Sequence, residues 1–84
     1  MEETDLITSL TPAIKEQLSS KDTPYVRKAF QRLIKLDDVD DAEAIKMLAL
    51  CLADESNRMF IDKRNFDELR YQMLLNALPD LPEG

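Results

Sequence analysis

Residues 40–62 read DDAEAIKMLALCLADESNRMFID. Ala44, Ile45, Leu48, Ala49, Leu52 and Ala53 recur at the three- and four-residue spacing of one helix face. Met47, Leu50 and Cys51 fill the remaining sides, so residues 47–53 are apolar all round. A helix that is apolar on every side has to be covered on every side. This stretch is therefore expected to be the central helix of the fold, or to sit at a subunit interface. Its start is marked by Asp40, an N-cap type, with Glu43 three residues on as in a capping box. Acids at that end also suit the positive pole of the helix dipole. Asp54, Arg58 and Asp62 stand four residues apart, a favourable charge ladder that carries the helix to about Ile61.

The same grammar extends in both directions. Upstream, Thr23-Pro24 pairs an N-cap with a residue preset for the first helical position. Val26, Ala29, Phe30 and Leu33 then mark an inner face, with Tyr25 and Ile34 at its edges, and the helix is expected over 24–36. Further upstream, Leu6, Leu10, Ile14 and Leu18 recur at four-residue steps, with Ile7 beside them. Pro12 interrupts that run and lacks the N–H an interior helical residue needs. The first segment, about 4–19, is therefore expected to break near Pro12. Downstream, Asn65 and Glu68 repeat the capping-box pattern ahead of a helix over about 66–78. Its inner face is expected to be Phe66, Leu69, Met73 and Ala77, widened by Leu74 and Leu78, with Pro79 as the stop. The tail 79–84 is expected to be extended, with Leu81 tucked back onto the bundle.

No segment alternates as a strand does, and the only glycine is Gly84, which leaves tight hairpin turns without their usual residue. The fold class is accordingly all-α: a small four-helix bundle or compact helical array, with a homodimer open. The 84 residues make a single domain. A chain of that size buries only roughly 60–65% of its unfolded surface, so its stability rests on good packing or on a partner.

Composition excludes much. There is no histidine and one cysteine, Cys51, lying between Leu50 and Leu52. A lone cysteine forms no internal disulfide, and a structural zinc site needs about four Cys or His ligands. Cys51 also has no neighbouring base to make it a nucleophile, which favours a packing role. The acids Asp37, Asp38, Asp40, Asp41 and Glu43 invite a calcium reading, but an EF-hand loop needs a central glycine and a Glu at its twelfth position, and twelve from Asp38 is Ala49. Adjacent Asp54 and Glu55 point about 100° apart on a helix and do not converge as an acid–base pair. The expectation is no enzyme, no cofactor and no metal.

Charge is unevenly spread. The net is −3 over residues 1–20, +4 over 21–36, −6 over 37–56 and −1 over 57–84. The whole repels nucleic acid and anionic membrane at long range. The longest apolar run, 47–53, is far below the ~20 residues of a membrane span. The opening Met1-Glu2-Glu3 has the wrong charge for a signal peptide, which points to a cytoplasmic protein.

These residues suggest a small acidic protein–protein interaction module, adaptor or regulatory, that works through helix faces on another protein or on itself. The candidate partner-binding residues are Arg27, Lys28, Arg32 and Lys35 on the second helix and Asp37, Asp38, Asp40 and Asp41 after it. Two alternatives stand beside it. One is an acidic inhibitor or nucleic-acid mimic whose surface, Asp37–Glu43 with Asp54 and Glu55, occupies a basic partner. The other is a nucleic-acid accessory factor using the basic face of the second helix; against it, the helix that would enter a groove opens with Asp40, Asp41 and Glu43. Met59, Phe60 and Ile61 are expected to be covered by the fourth helix, and to form a docking patch if they are not.

Overall fold

The computed structural model describes residues 3–80, with side chains from Thr8 onward. Among these residues four helices form the fold: α1 (Glu3–Ser19), α2 (Pro24–Leu33), α3 (Asp41–Asp62) and α4 (Glu68–Ala77). Among the described residues there is no strand. The all-α helical array expected from the sequence is what is observed. Among the described residues no helix is long and apolar enough to cross a membrane.

Helix α3 is the centre. It packs against α1, α2 and α4. Ala44, Met47, Leu48, Ala49, Cys51 and Leu52 are buried along it, and Ile14, Val26, Ala29, Leu33, Tyr71 and Leu75 close around them. Its start is as the sequence spells it: the Asp40 carboxylate accepts the Glu43 N–H at 2.8 Å. Its end is Lys63, which takes a left-handed conformation (φ 55°, ψ 48°). The Arg64 N–H then returns to the Met59 carbonyl at 3.1 Å, a helix-closing bond that is usually served by glycine.

Two side chains fix the direction of α4 against α2. Tyr25, near the start of α2, donates to Glu68 at the start of α4 at 2.8 Å. Arg32, near the end of α2, donates to the carbonyls of Leu75 and Leu78, at 2.8 and 3.1 Å. The two helices therefore run in the same direction. Arg32 acts as a cation at the negative end of α4, where the last carbonyls lack the N–H four residues on, although that of Leu75 also accepts the Leu78 N–H at 3.2 Å.

Three expectations need correction. Helix α1 runs unbroken through Pro12. Pro12 lies on the exposed side with Thr8, Lys15 and Glu16, where water can reach the Thr8 carbonyl that Pro12 cannot bond. Ile14 meanwhile anchors the opposite side in the core. Helix α2 stops at Leu33 rather than 36, and Thr23 makes no side-chain cap; its hydroxyl donates instead to the Gln17 carbonyl at 2.9 Å, closing the α1–α2 turn. Helix α4 starts at Glu68 rather than 66, with Asp67 in place of Asn65 as the cap.

The face of α4 is also different from the one expected. Tyr71, Leu75 and Leu78 are buried and Leu74 is half-buried, whereas Leu69, Met73 and Ala77 face solvent and Phe66 lies before the helix. Apolar residues ring α4, so their spacing leaves its rotation undecided. The rotation is set by Tyr71, whose hydroxyl donates to Gln17 Oε1 at 2.7 Å and whose ring stacks edge-on with Tyr25 and Phe66. The expected position of Leu81 and the inner faces of Leu6 and Ile7 lie outside the described residues.

Candidate functional site

The densest polar constellation sits where α3 hands over to α4, around Glu55. That side chain is fully buried, the one buried charged residue among those described. It falls in the inward register of α3, after Leu48, Cys51 and Leu52. The turn at Lys63 brings the chain back across it. Arg64 forks onto the carboxylate, Nη1 to Oε2 at 2.6 Å and Nη2 to Oε1 at 3.1 Å. The Asp67 backbone N–H donates to Oε2 at 2.7 Å. One turn into α4, Arg70 spans both acids, with Nη1 on Glu55 Oε1 at 2.8 Å and Nη2 on Asp54 Oδ2 at 2.6 Å.

A buried charge is tolerated only when it is paired and hydrogen-bonded. Here two guanidinium groups and one backbone N–H supply both conditions. The Arg64 hydrogen bonds are the main reason the Glu55 carboxyl is held down at about 2 rather than the usual 4.5, and they outweigh burial, which acts the other way. Asp67 and Arg70 add to the effect. Asp67 serves twice, since its side chain also accepts the Arg70 N–H at 3.1 Å and so opens α4. A carboxylate on α3 thus sets the start of α4 and, together with Tyr71, its rotation.

This network corrects the acidic surface inferred from the sequence. Asp54 and Glu55 are turned inward and matched by Arg64 and Arg70, so they offer nothing to a basic partner. The expected Asp54–Arg58–Asp62 ladder keeps only its second rung, Arg58–Asp62 at 3.7 Å, because Asp54 is taken by Arg70.

The sequence-predicted partner residues stay on the surface. Arg27, Lys28, Arg32, Lys35, Asp37, Asp38, Asp40 and Asp41 are all exposed. Among the described residues no ion pair joins the basic set to the acidic set. Arg32 and Asp40 have internal tasks as well, the first on the end of α4 and the second on the start of α3. The charge contrast between α2 and residues 37–43 is therefore open to solvent. Among the described residues no three Cys, Asp or Glu side chains converge as a metal site. Burial pushes the Cys51 thiol up from 9.0 to about 12, with the Asp54 charge adding to the effect, which leaves it a packing group.

The covering of residues 59–61 by α4 does not occur. Phe60 is 83% exposed and Ile61 55%, and only Met59 is partly covered. On α4, Leu69 is 73% and Met73 69% exposed. Helix α4 approaches the side of α3 that carries Asp54 and Glu55, and Phe60 projects from a different side. The chain matches no family model, no curated protein and no solved structure.

Proposed function

We propose that the protein is a non-catalytic interaction module, adaptor or regulatory in kind, that contacts protein surfaces through its helix faces. The observation that supports this most is the set of large apolar side chains left in water, Phe60, Leu69 and Met73, on a chain too small to spare them from its core. The groups whose chemistry is most perturbed are closed off: Glu55 is bound on all sides and Cys51 is buried and held protonated. They fit architecture better than turnover.

Affinity capture from lysate tests the reading, with native, Phe60→Ser and Leu69→Ser/Met73→Ser chains as baits. The expected result is a bound protein, or a second copy, that the native bait retains and one of the variants loses. Identical profiles from all three baits, with unchanged self-association, would end the proposal.

A second reading keeps one specific support. Asp37, Asp38, Asp40, Asp41 and Glu43 remain exposed and unneutralised, a compact negative surface suited to a basic partner. Binding of that kind weakens steeply with salt and is lost on charge reversal of Asp38 and Asp41, whereas apolar docking survives both. The basic face of α2 as a nucleic-acid grip is less supported, since Arg32 is engaged by α4.

A further inference from the structure

The first three helices form a body that closes without α4. Helices α1, α2 and α3 each pack on the other two, whereas among the described residues α4 packs on α2 and α3 and reaches α1 through the Tyr71–Gln17 bond. Most of the core lies in that body, with Ile14, Val26, Ala29, Leu33, Leu48 and Leu52. Helix α4 buries Tyr71 and Leu75, with Leu78 just after it, while Leu69 and Met73 face away and add nothing to its docking. Polar bonds do the rest. At the start of α4 the Asp67 N–H and Arg70 sit on Glu55, and Tyr25 holds Glu68; at its end Arg32 holds the Leu75 and Leu78 carbonyls. When such bonds part together, each group gains water in exchange, and Glu55 is solvated rather than stranded in the core.

We infer that α4 is a strap that undocks as a unit, pivoting on residues 63–67, while the α1–α3 body stays folded. This motion belongs to the chain alone and needs no partner. Elements with few buried apolar contacts are the ones that open locally, and α4 is such an element. Glu55 is the latch, because its carboxylate joins the pivot, through Arg64 and the Asp67 N–H, to the helix, through Arg70. Cys51 lies under the strap. It precedes Asp54 by three residues and Glu55 by four, which places it between them on the surface of α3, one turn earlier. Arg70 covers those two acids, and the next residue of α4 is Tyr71. The Tyr71 hydroxyl, pushed up mainly by burial, also feels Cys51. A fully buried thiol on this side of α3 therefore meets water when α4 lifts.

Alkylation of Cys51 in the full chain, followed by mass spectrometry across low urea concentrations, is the test. The expected result is labelling through an opening that urea hardly promotes, since lifting α4 exposes little surface. Labelling that follows urea as steeply as global unfolding does would overturn the strap, because the thiol would then be reached only in the unfolded chain. Glu55→Gln should raise the labelling rate in water roughly a hundredfold, the loss expected for a broken buried pair. Ile14→Val trims the core of the three-helix body instead, and should leave that rate unchanged although it lowers the melting temperature. Acceleration by Ile14→Val in proportion to its loss of stability would count against a local opening. Amide hydrogen exchange of the native chain needs no variant. The amides of residues 71–77 should exchange together, and faster than those of residues 47–52 in α3. Protection of α4 equal to that of α3 would overturn the strap as well.

Discussion

Two acidic clusters look alike in the sequence and behave as opposites in the fold. Asp37, Asp38, Asp40, Asp41 and Glu43 stand in water just before α3 and in its first turn, and their structural use is one cap, Asp40 on the Glu43 N–H. Asp54 and Glu55, one helical stretch later, are drawn inside and matched by Arg64 and Arg70. Helical register and the downstream chain separate the two. The first cluster lies before the helix and in its first turn, where Asp41 and Glu43 fall off the inward register that Ala44 opens. Glu55 falls on the buried side of α3, and the chain then turns at Lys63 and supplies two arginines within fifteen residues of it. A carboxylate's neighbours in space decide whether it is surface charge or a structural anchor.

The sharpest way to break this contrast is to remove the buried charge. Glu55→Gln keeps the shape but leaves Arg64, Arg70 and the Asp67 N–H without their anion. Disrupting one partner of a buried pair typically costs about 3 kcal/mol or more. For a domain this small that corresponds to a melting temperature lower by ~12 °C or more. Thermal melts monitored by circular dichroism measure it, and a shift of under ~3 °C would show that the network is incidental. Acid gives a second reading of the same anchor. The folded state keeps Glu55 ionised to about pH 2, while the unfolded chain protonates it near 4.5. The stability this provides is complete above 4.5 and is lost as pH falls from 4.5 towards 2. With no histidine in the chain, side-chain titration leaves stability nearly flat from about pH 5.5 to 8. The native protein should lose stability over the acid window more steeply than Glu55→Gln, and parallel curves would reject Glu55 as the source.

The range of each interaction governs how legible it is in the sequence. Helix α3 and its cap are legible because spacing and capping are local, and residues 40–53 contain both. Glu55 carries a subtler signal: it continues the buried register of Leu48, Cys51 and Leu52, where an acid is anomalous unless cations lie downstream. The rotation of α4 is not legible. Leu69, Tyr71, Met73, Leu74, Leu75 and Leu78 surround it, so periodicity ranks no face, and the choice falls to bonds from Tyr71 to Gln17 and from Arg70 to Glu55 across 54 and 15 residues. Pro12 misleads for the converse reason. Its local cost is real, but the Ile14 side of α1 is held by the core and the Pro12 side faces water.

The exposed cluster should yield smaller effects, and unequal ones. Lys63 holds a left-handed turn that glycine adopts without a Cβ penalty. Lys63→Gly should therefore stabilise the protein by up to ~1 kcal/mol, provided the turn exists to present Arg64 to Glu55. Within the cluster itself, Asp40→Ala removes the one carboxylate with a backbone partner and should cost ~1 kcal/mol in urea unfolding. Asp38→Asn removes a charge of the same sign two residues away and should change stability by less than ~0.5 kcal/mol. It should leave stability unmoved while weakening any salt-sensitive complex with a basic protein. If Asp38→Asn destabilised the fold as much as Asp40→Ala, the first cluster would have a structural task that its exposure conceals, and the contrast with Asp54 and Glu55 would collapse. If Asp40→Ala alone moves the melt, the division holds at the level of single residues: one acid in the cluster builds the helix, and its neighbours are free to meet a partner.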